Sequence, residues 1–285
     1  MRSTDENYLH FLHNRIAIFL QVCYNTYDMF SFVYGNIDFA HKIDNTSSPT
    51  EEYYKHMHAF IEIIYFVRGD VDYTVESETR TLRPGDVVLI SPGKYHFATV
   101  NLREKSYERY VLKFPEIMVP DYIKDTLLAH RPFFTDTAAY ATIFTGLDEY
   151  EKNFSKEETH TLFLGELAKL LIMMNRTASL GKQKANPFIE KIITHINNNI
   201  TEEITLETLA DDLMYSKSYI SNEFRKYMHI PVMQYVRSKK ILFAHSLIMN
   251  GMKKCEAAEK LGFMNYSTFF RAYRKTLSAN EFPDE

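Results

Sequence analysis

Two patterns of hydrophobic and polar positions divide the chain. From about residue 60 to 114, apolar residues come in short β-branched and aromatic runs. FIEIIYFV and DVDYTVES flank a Gly69-Asp70 turn. Arg83-Pro84-Gly85-Asp86 precedes VVLIS, Ser91-Pro92-Gly93-Lys94 precedes YHFATV, and ERYVLKF ends the series. Short strands with turn signals at this spacing predict an antiparallel sandwich or barrel. After about residue 123 the period lengthens. Leu162, Phe163, Glu166, Leu167, Leu170 and Met174 recur at three and four, which predicts a long amphipathic helix over residues 159–174. RTASLGKQKAN, residues 176–186, is small and polar and reads as a linker. Beyond it no strand pattern returns. The expected division is 1–175, a linker at 176–186, and 187–285.

The last part contains a repeat. Thr205 can cap a helix that carries Leu206, Leu209, Ala210 and Leu213 on one face. Ser216 can cap a second helix, where Ile220 and Phe224 face inward and Ser218, Ser221, Asn222 and Arg225 face out. Ala257, Ala258 and Leu261 repeat Leu209, Ala210 and Leu213 at an offset of 48. Phe269 and Tyr273 repeat Ile220 and Phe224 at 49, and Ser267, Phe270, Arg271 and Arg274 repeat the outward face. The extra residue falls near the Gly262-Phe263 turn. Two helix-turn-helix units with matched faces point to DNA binding. Between them PVMQYVRSKKILFAHSLIM starts at Pro231 and carries an apolar stripe of Val232, Tyr235, Val236, Leu242, Phe243 and Leu247. It also holds the densest basic cluster, Arg237, Lys239 and Lys240, expected to meet the phosphate backbone. Phe270 has two readings, contact with a thymine methyl or packing against the linking helix.

Charge sharpens this picture. The net formal charge of −4 argues against a uniformly basic coat. Residues 1–181 carry 18 Lys/Arg against 25 Asp/Glu, and residues 182–285 carry 15 against 12, so the two parts stand at −7 and +3. With so small a surplus, stable occupancy of DNA is expected to need a dimer or a well-matched site. Composition excludes other classes. No apolar run approaches the ~18 residues of a membrane span. The N-terminus is polar and acidic, unlike a signal peptide. Two distant cysteines, Cys23 and Cys255, exclude a disulfide scaffold or zinc finger and suggest a reducing cytoplasm. No Gly-rich phosphate loop or G-x-S-x-G elbow is present.

In order and spacing, TLETLADDL, SKSYISNEFRK, QYVRSKKILFAHSLI and GFMNYSTFFRAYRK resemble the DNA-binding domain of AraC/XylS-type transcription regulators. The resemblance implies base reading by Ser218, Ser221, Asn222, Tyr266, Ser267, Phe270 and Arg271. It leaves Lys217, Arg225, Arg237, Lys239, Lys240, Arg274 and Lys275 for the DNA backbone. Where the family usually ends both recognition helices with Gly, this chain has His229 and Ser278, and its tail, SANEFPDE, keeps the family pattern poorly. The N-terminal part resembles the cupin-type sensor of the same family. HMHAFIEIIYFVRG follows the cupin spacing through His56, His58, Glu62 and Gly69, and PGKYH adds His96. His56, His58 and Glu62 share strand parity and would face one pocket.

The expected fold is therefore α+β in two domains. A cupin-like antiparallel β-barrel with flanking helices precedes an all-α domain of two helix-turn-helix units joined by a long helix. The expected function is a transcription regulator, an activator by family habit, controlled by a small-molecule effector at His56, His58, Glu62 and His96. Expected partners are promoter DNA, the effector, a second copy of the chain and RNA polymerase, with no membrane. No cofactor is required, although those four residues have the donor types for Fe, Mn, Zn or Ni. The alternative is a metal-dependent cupin enzyme, a dioxygenase or isomerase. The 159–174 helix is expected either at the dimer contact or over the open side of the barrel.

Overall fold

The computed structural model describes residues 26–44, 55–101, 106–129, 131–135, 138–177 and 184–278. Its N-terminal half is two antiparallel sheets. The larger runs in the order β1 (Thr26–Tyr34), β2 (Ile37–Asp44), β8 (Tyr107–Phe114), β3 (Ile61–Arg68), β6 (Val87–Ile90) and β9 (Phe133–Phe134). The smaller runs β10 (Lys184–Ala185), β5 (Glu78–Thr81), β4 (Val71–Val75) and β7 (His96–Val100). β3 shows why its sequence is apolar at almost every position. Ile64 and Phe66 face the smaller sheet and pack with Val71, Tyr73, Val75, Ala98 and Val100. Ile61, Ile63 and Tyr65 face the other way, into a second core. A strand covered on both faces loses the alternation of a half-exposed one.

Three helices cover the outer face: α1 (Asp121–Ala129), α2 (Ala138–Asn153) and α3 (Lys156–Arg176). α3 opens on a capping box. Ser155 accepts from the Glu158 amide while the Glu158 carboxylate accepts from the Ser155 amide. Phe163, Leu167, Leu170, Leu171 and Met174 of α3 are buried in the outer core, so this helix covers the sheet. Leu164, Gly165 and Ala168 remain exposed on its far side.

His41 on β2 ties helix to sheet. Its Nδ1 lies 2.8 Å from Asp148 of α2, its Nε2 lies 3.0 Å from Glu108 of β8, and its ring stacks on Tyr110 at 4.1 Å. Burial opposes charging of the ring, but hydrogen bonds and attraction to Asp148 and Glu108 outweigh it, so the pKa is raised above 6.5. A raised histidine contributes stability that is full below its unfolded value and is lost as pH rises through the folded one. His41→Gln should remove that pH dependence. Urea midpoints should fall for the wild type from pH 6 upward, and less steeply for the variant. Parallel slopes would dismiss the contribution.

The C-terminal half begins with α4 (Pro187–Asn198), capped by Asn186 and burying Ile189, Ile192, Ile193 and Ile196. The first unit is α5 (Leu206–Leu213) and α6 (Lys217–Met228), and the second is α8 (Lys254–Lys260) and α9 (Tyr266–Ser278). α7 (Val232–Met249) joins them. Thr205 and Ser216 cap α5 and α6 as expected. Every inward residue of the repeat is buried: Leu209, Ala210, Leu213, Ile220 and Phe224, then Ala257, Ala258, Leu261, Phe269 and Tyr273.

The backbone narrows the insertion to one residue. Met214 and Gly262, 48 apart, both turn left-handed. The next amides, of Tyr215 and Phe263, donate to the carbonyls of Ala210 and Ala258. The following caps, Ser216 and Asn265, are 49 apart. Met264 is thus the extra residue, and it is fully exposed. Met214 is 91% exposed at φ 59, a conformation that favours glycine. Met214→Gly should therefore stabilise the domain by about 0.5–1 kcal/mol, read as a raised urea midpoint. An unchanged or lower midpoint would show that the turn carries no strain.

α7 does not have a single apolar stripe. Val232, Tyr235, Val236 and Leu242 belong to the first unit's core, whereas Ile241 and Ala244 belong to the second's, with Phe243 and Leu247 packed beside them. A helix between two units buries opposite faces, which blurs its periodicity. The described residues flank most of the expected linker. α3 continues to Arg176, and Lys184 and Ala185 already pair with β5 as β10. The rest of the 176–186 segment lies largely outside the described residues, as do Cys23 and the tail beyond Ser278. His229 closes α6 at φ 60, where the resemblance expects glycine. Among the described residues no helix is long and apolar enough to cross a membrane.

Candidate nucleic-acid interface and histidine cluster

The N-terminal turns of α6 and α9 present matched surfaces. Lys217, Ser218, Asn222 and Arg225 are exposed on α6, and Ser221 is half-buried. Lys217 pairs with Glu207. Tyr266, Ser267, Arg271, Arg274 and Lys275 are exposed on α9. Phe270 is half-buried on the second unit's core, with its ring stacked on Tyr266 at 5.9 Å and Lys254 Nζ at 5.8 Å. Sequence reasoning missed Tyr219. It is 47% exposed beside Ser218 and packs with Phe188 and Tyr215, and its position one residue from the outward face was the available signal.

The basic cluster of α7 needs correction. Arg237 is exposed, but Lys239 and Lys240 are not offered to a phosphate backbone. Lys240 is buried and donates to the carbonyls of Glu202 at 2.7 Å and Leu261 at 2.9 Å. Lys239 donates to the Gly93 carbonyl at 3.0 Å and lies 3.7 Å from Glu76 Oε1. Burial lowers the pKa of both. The long aliphatic stems let these ammonium groups reach polar atoms inside the fold.

Lys239 belongs to a clasp between the two halves. Glu76, at φ 54 in the β4–β5 turn, accepts from the Tyr235 hydroxyl at 2.6 Å and from the Tyr95 amide at 2.9 Å. Tyr227 of α6 donates to the Ser77 carbonyl at 2.8 Å. Met57, Tyr95 and Phe97 share one hydrophobic core with α4, α5, α6 and α7. Beside the clasp lies a polar cleft of about 410 Å³, lined by Glu76, Ser77, Lys94, Arg131, Glu190 and Asn197 among others.

His56, His58, Glu62 and His96 come together as their spacing suggested. Their candidate ligand atoms all lie within 4.8 Å of one another. Strand parity is not the cause, because β3 starts only at Ile61. His58 arrives from the preceding loop, and His56 forms an isolated bridge with His96. His58 Nε2 is 2.9 Å and His96 Nε2 3.1 Å from Glu62 Oε2. Burial keeps His58 below its ordinary pKa, although its contacts with Glu62 oppose the shift. Burial also works against the Glu62 carboxylate, but the two histidines outweigh it and hold its pKa well below the usual range.

A family model described as an AraC-like ligand binding domain matches residues 46–172, from ahead of β3 into α3. A second, described as a helix-turn-helix domain, matches residues 209–280 and spans both units. The chain belongs to the AraC family of transcription regulators. Among its curated relatives in this family is the HTH-type transcriptional regulator YdiP of Escherichia coli. It is 23% identical over 89% of this chain and 88% of its own length. The transcriptional activator RhaR of E. coli is 22% identical over 71% of this chain and 76% of its own. ToxT of Vibrio cholerae, a solved structure, aligns over 87% of this chain and 95% of its own, at 15% identity and a TM-score of 0.36. YdiP and RhaR are named as transcriptional regulators, and the enzyme alternative is set aside. The AraC-family chain thus joins a ligand-binding sheet domain to a helical DNA-binding domain, as the resemblance implied.

Proposed function

We propose that this regulator acts in the cytoplasm as a homodimer that places α6 and α9 of each protomer in successive major grooves of a promoter. The observation that carries this reading is the duplicated polar face of α6 and α9, both borne on cores that share α7. Ser218, Ser221, Asn222, Tyr266, Ser267 and Arg271 are the base-reading set, with Phe270 beside them. Arg225, Arg237, Arg274 and Lys275 supply phosphate contacts, and Lys217 joins them when it leaves Glu207. The exposed side of α3, with Leu164, Gly165 and Ala168, is the face for the second copy. Activation then proceeds by contact with RNA polymerase.

A small-molecule effector bound by the N-terminal domain shifts DNA affinity only as far as it prefers one domain arrangement over another. Fluorescence anisotropy on promoter DNA should show site preference over random sequence and a steep loss of affinity with salt. Arg271→Ala should cost about 1–3 kcal/mol of discrimination at one or two base pairs. Unchanged base preferences in that variant would remove Arg271 from the reading set. Equal affinity for random DNA at moderate salt would remove the function.

A further inference from the structure

We propose that Lys240 is the positioning residue that fixes the two recognition helices, α6 and α9, relative to each other. It thereby makes the chain selective for the number of base pairs between the two sub-sites they read. The selectivity rests on the regulator reading above. The positioning rests on contacts within the helical half alone. There the two units have separate cores. Among the described residues the first core takes α4, α5 and α6, the second takes α8 and α9, and α7 contributes to both. The change of core falls at Lys240. Val236 and Leu242 belong to the first, Ile241 and Ala244 to the second.

Apolar contact is not directional, so two cores that meet on one helix leave the units able to rock about it. Hydrogen bonds are directional and remove that freedom. Lys240 Nζ supplies them to both units at once. It donates to the Glu202 carbonyl at 2.7 Å and to the Leu261 carbonyl at 2.9 Å. Each carbonyl belongs to the segment that aims a unit. The Glu202 amide donates to the Asn199 carbonyl at the end of α4, and the buried Ile204 and the Thr205 cap follow before α5. Leu261 closes α8, the left-handed Gly262 follows, and Asn265 caps α9. A cation donating to a carbonyl makes a stronger bond than a neutral donor does. With the ammonium buried, both bonds form in a low dielectric, which strengthens them further.

Groove geometry turns this pin into specificity. One inserted base pair moves the second sub-site by about 3.4 Å and turns it by about 35° around the duplex. Base-edge hydrogen bonds do not survive such a displacement. A pinned pair of units therefore loses the contacts of one recognition helix. An unpinned pair rocks about α7 and recovers part of them.

The test selects sites from a random DNA library with the full wild-type chain and assigns the two sub-sites with Asn222→Ala and Arg271→Ala. All affinities are read below each variant's melting temperature. A one-base-pair insertion between the sub-sites should lower wild-type affinity by about 30-fold and Lys240→Met affinity by less than about 5-fold. Leu209→Ala, which opens a cavity in the first core, controls for lost stability and should keep the wild-type penalty. Equal penalties in wild type and Lys240→Met would overturn the proposal, as would an equal relaxation in Leu209→Ala. A wild type indifferent to the insertion would overturn the selectivity. A second arm needs no DNA. With both native cysteines replaced by serine, spin labels at Lys226→Cys on α6 and Thr268→Cys on α9 should give one narrow distance distribution that broadens in Lys240→Met. An unchanged distribution would overturn the positioning. A wild type with no preference for any DNA, together with a distribution that broadens, would overturn the regulator reading and leave the positioning standing.

Discussion

Replacing Lys240 by Met should destabilise the helical half by about 2–4 kcal/mol while leaving the salt dependence of DNA binding intact. Lys240 is 9% exposed and bonds the carbonyls of Glu202, which precedes α5 of the first unit, and Leu261, which closes α8 of the second. Hydrogen bonds to a charged group contribute about 1.5–3 kcal/mol each, and a buried carbonyl left without a donor adds its own penalty. Methionine keeps the volume and removes the donor. Chemical denaturation reads the stability, and the slope of log affinity against log salt reads the ion release. A phosphate-binding lysine would behave in the opposite way, with little loss of stability and a slope shallower by about one. That second pattern would restore Lys240 to the DNA interface.

Glu76→Ala should uncouple the two halves. One carboxylate receives the Tyr235 hydroxyl and the Tyr95 amide, with the Lys239 ammonium 3.7 Å away. Removing it leaves the buried Tyr235 hydroxyl and Tyr95 amide without this acceptor and leaves the Lys239 ammonium with the Gly93 carbonyl but no nearby carboxylate. Breaking a buried ionic contact from one side costs about 3–5 kcal/mol. The loss falls on the contact between halves, because Tyr235 and Lys239 belong to α7 and Tyr95 to the sheet domain. Calorimetry should change from one cooperative transition to two. A single transition merely shifted in temperature would mean that the shared core of Met57, Tyr95 and Phe97 holds the halves together without the carboxylate.

The features legible in the sequence were those whose physics is local. Helix caps, inward i,i+4 pairs and the duplicated offset all depend on spacing within about fifty residues, and Thr205, Ser216, Ile220, Phe224, Phe269 and Tyr273 stand where that spacing put them. Histidine spacing found the cluster as well, though loop and bridge, not strand parity, assemble it. The β1–β2 hairpin was overlooked although its turn, Gly35-Asn36, has positive φ at both residues and sits between alternating runs. That dipeptide was a readable signal. Lys239 and Lys240 offered none. A lysine aimed at solvent and one aimed at a distant carbonyl are the same letter, and only tertiary packing tells them apart. Glu76 likewise looked like an ordinary turn residue, and the hydroxyl it accepts from, on Tyr235, comes from 159 positions further along the chain.

Met264 gives the duplicated units different connections, and their outward residues differ as well: Ser218, Ser221, Asn222 and Arg225 on one, Ser267, Phe270, Arg271 and Arg274 on the other. A protomer built this way has no internal two-fold symmetry. Rotating it end for end would exchange a short-armed polar reader for an aromatic and cationic one. On the proposed reading, each protomer would therefore lie on the duplex in one direction only, as an arrow. Two such protomers could point the same way, and inverting the operator in place would turn both arrows around.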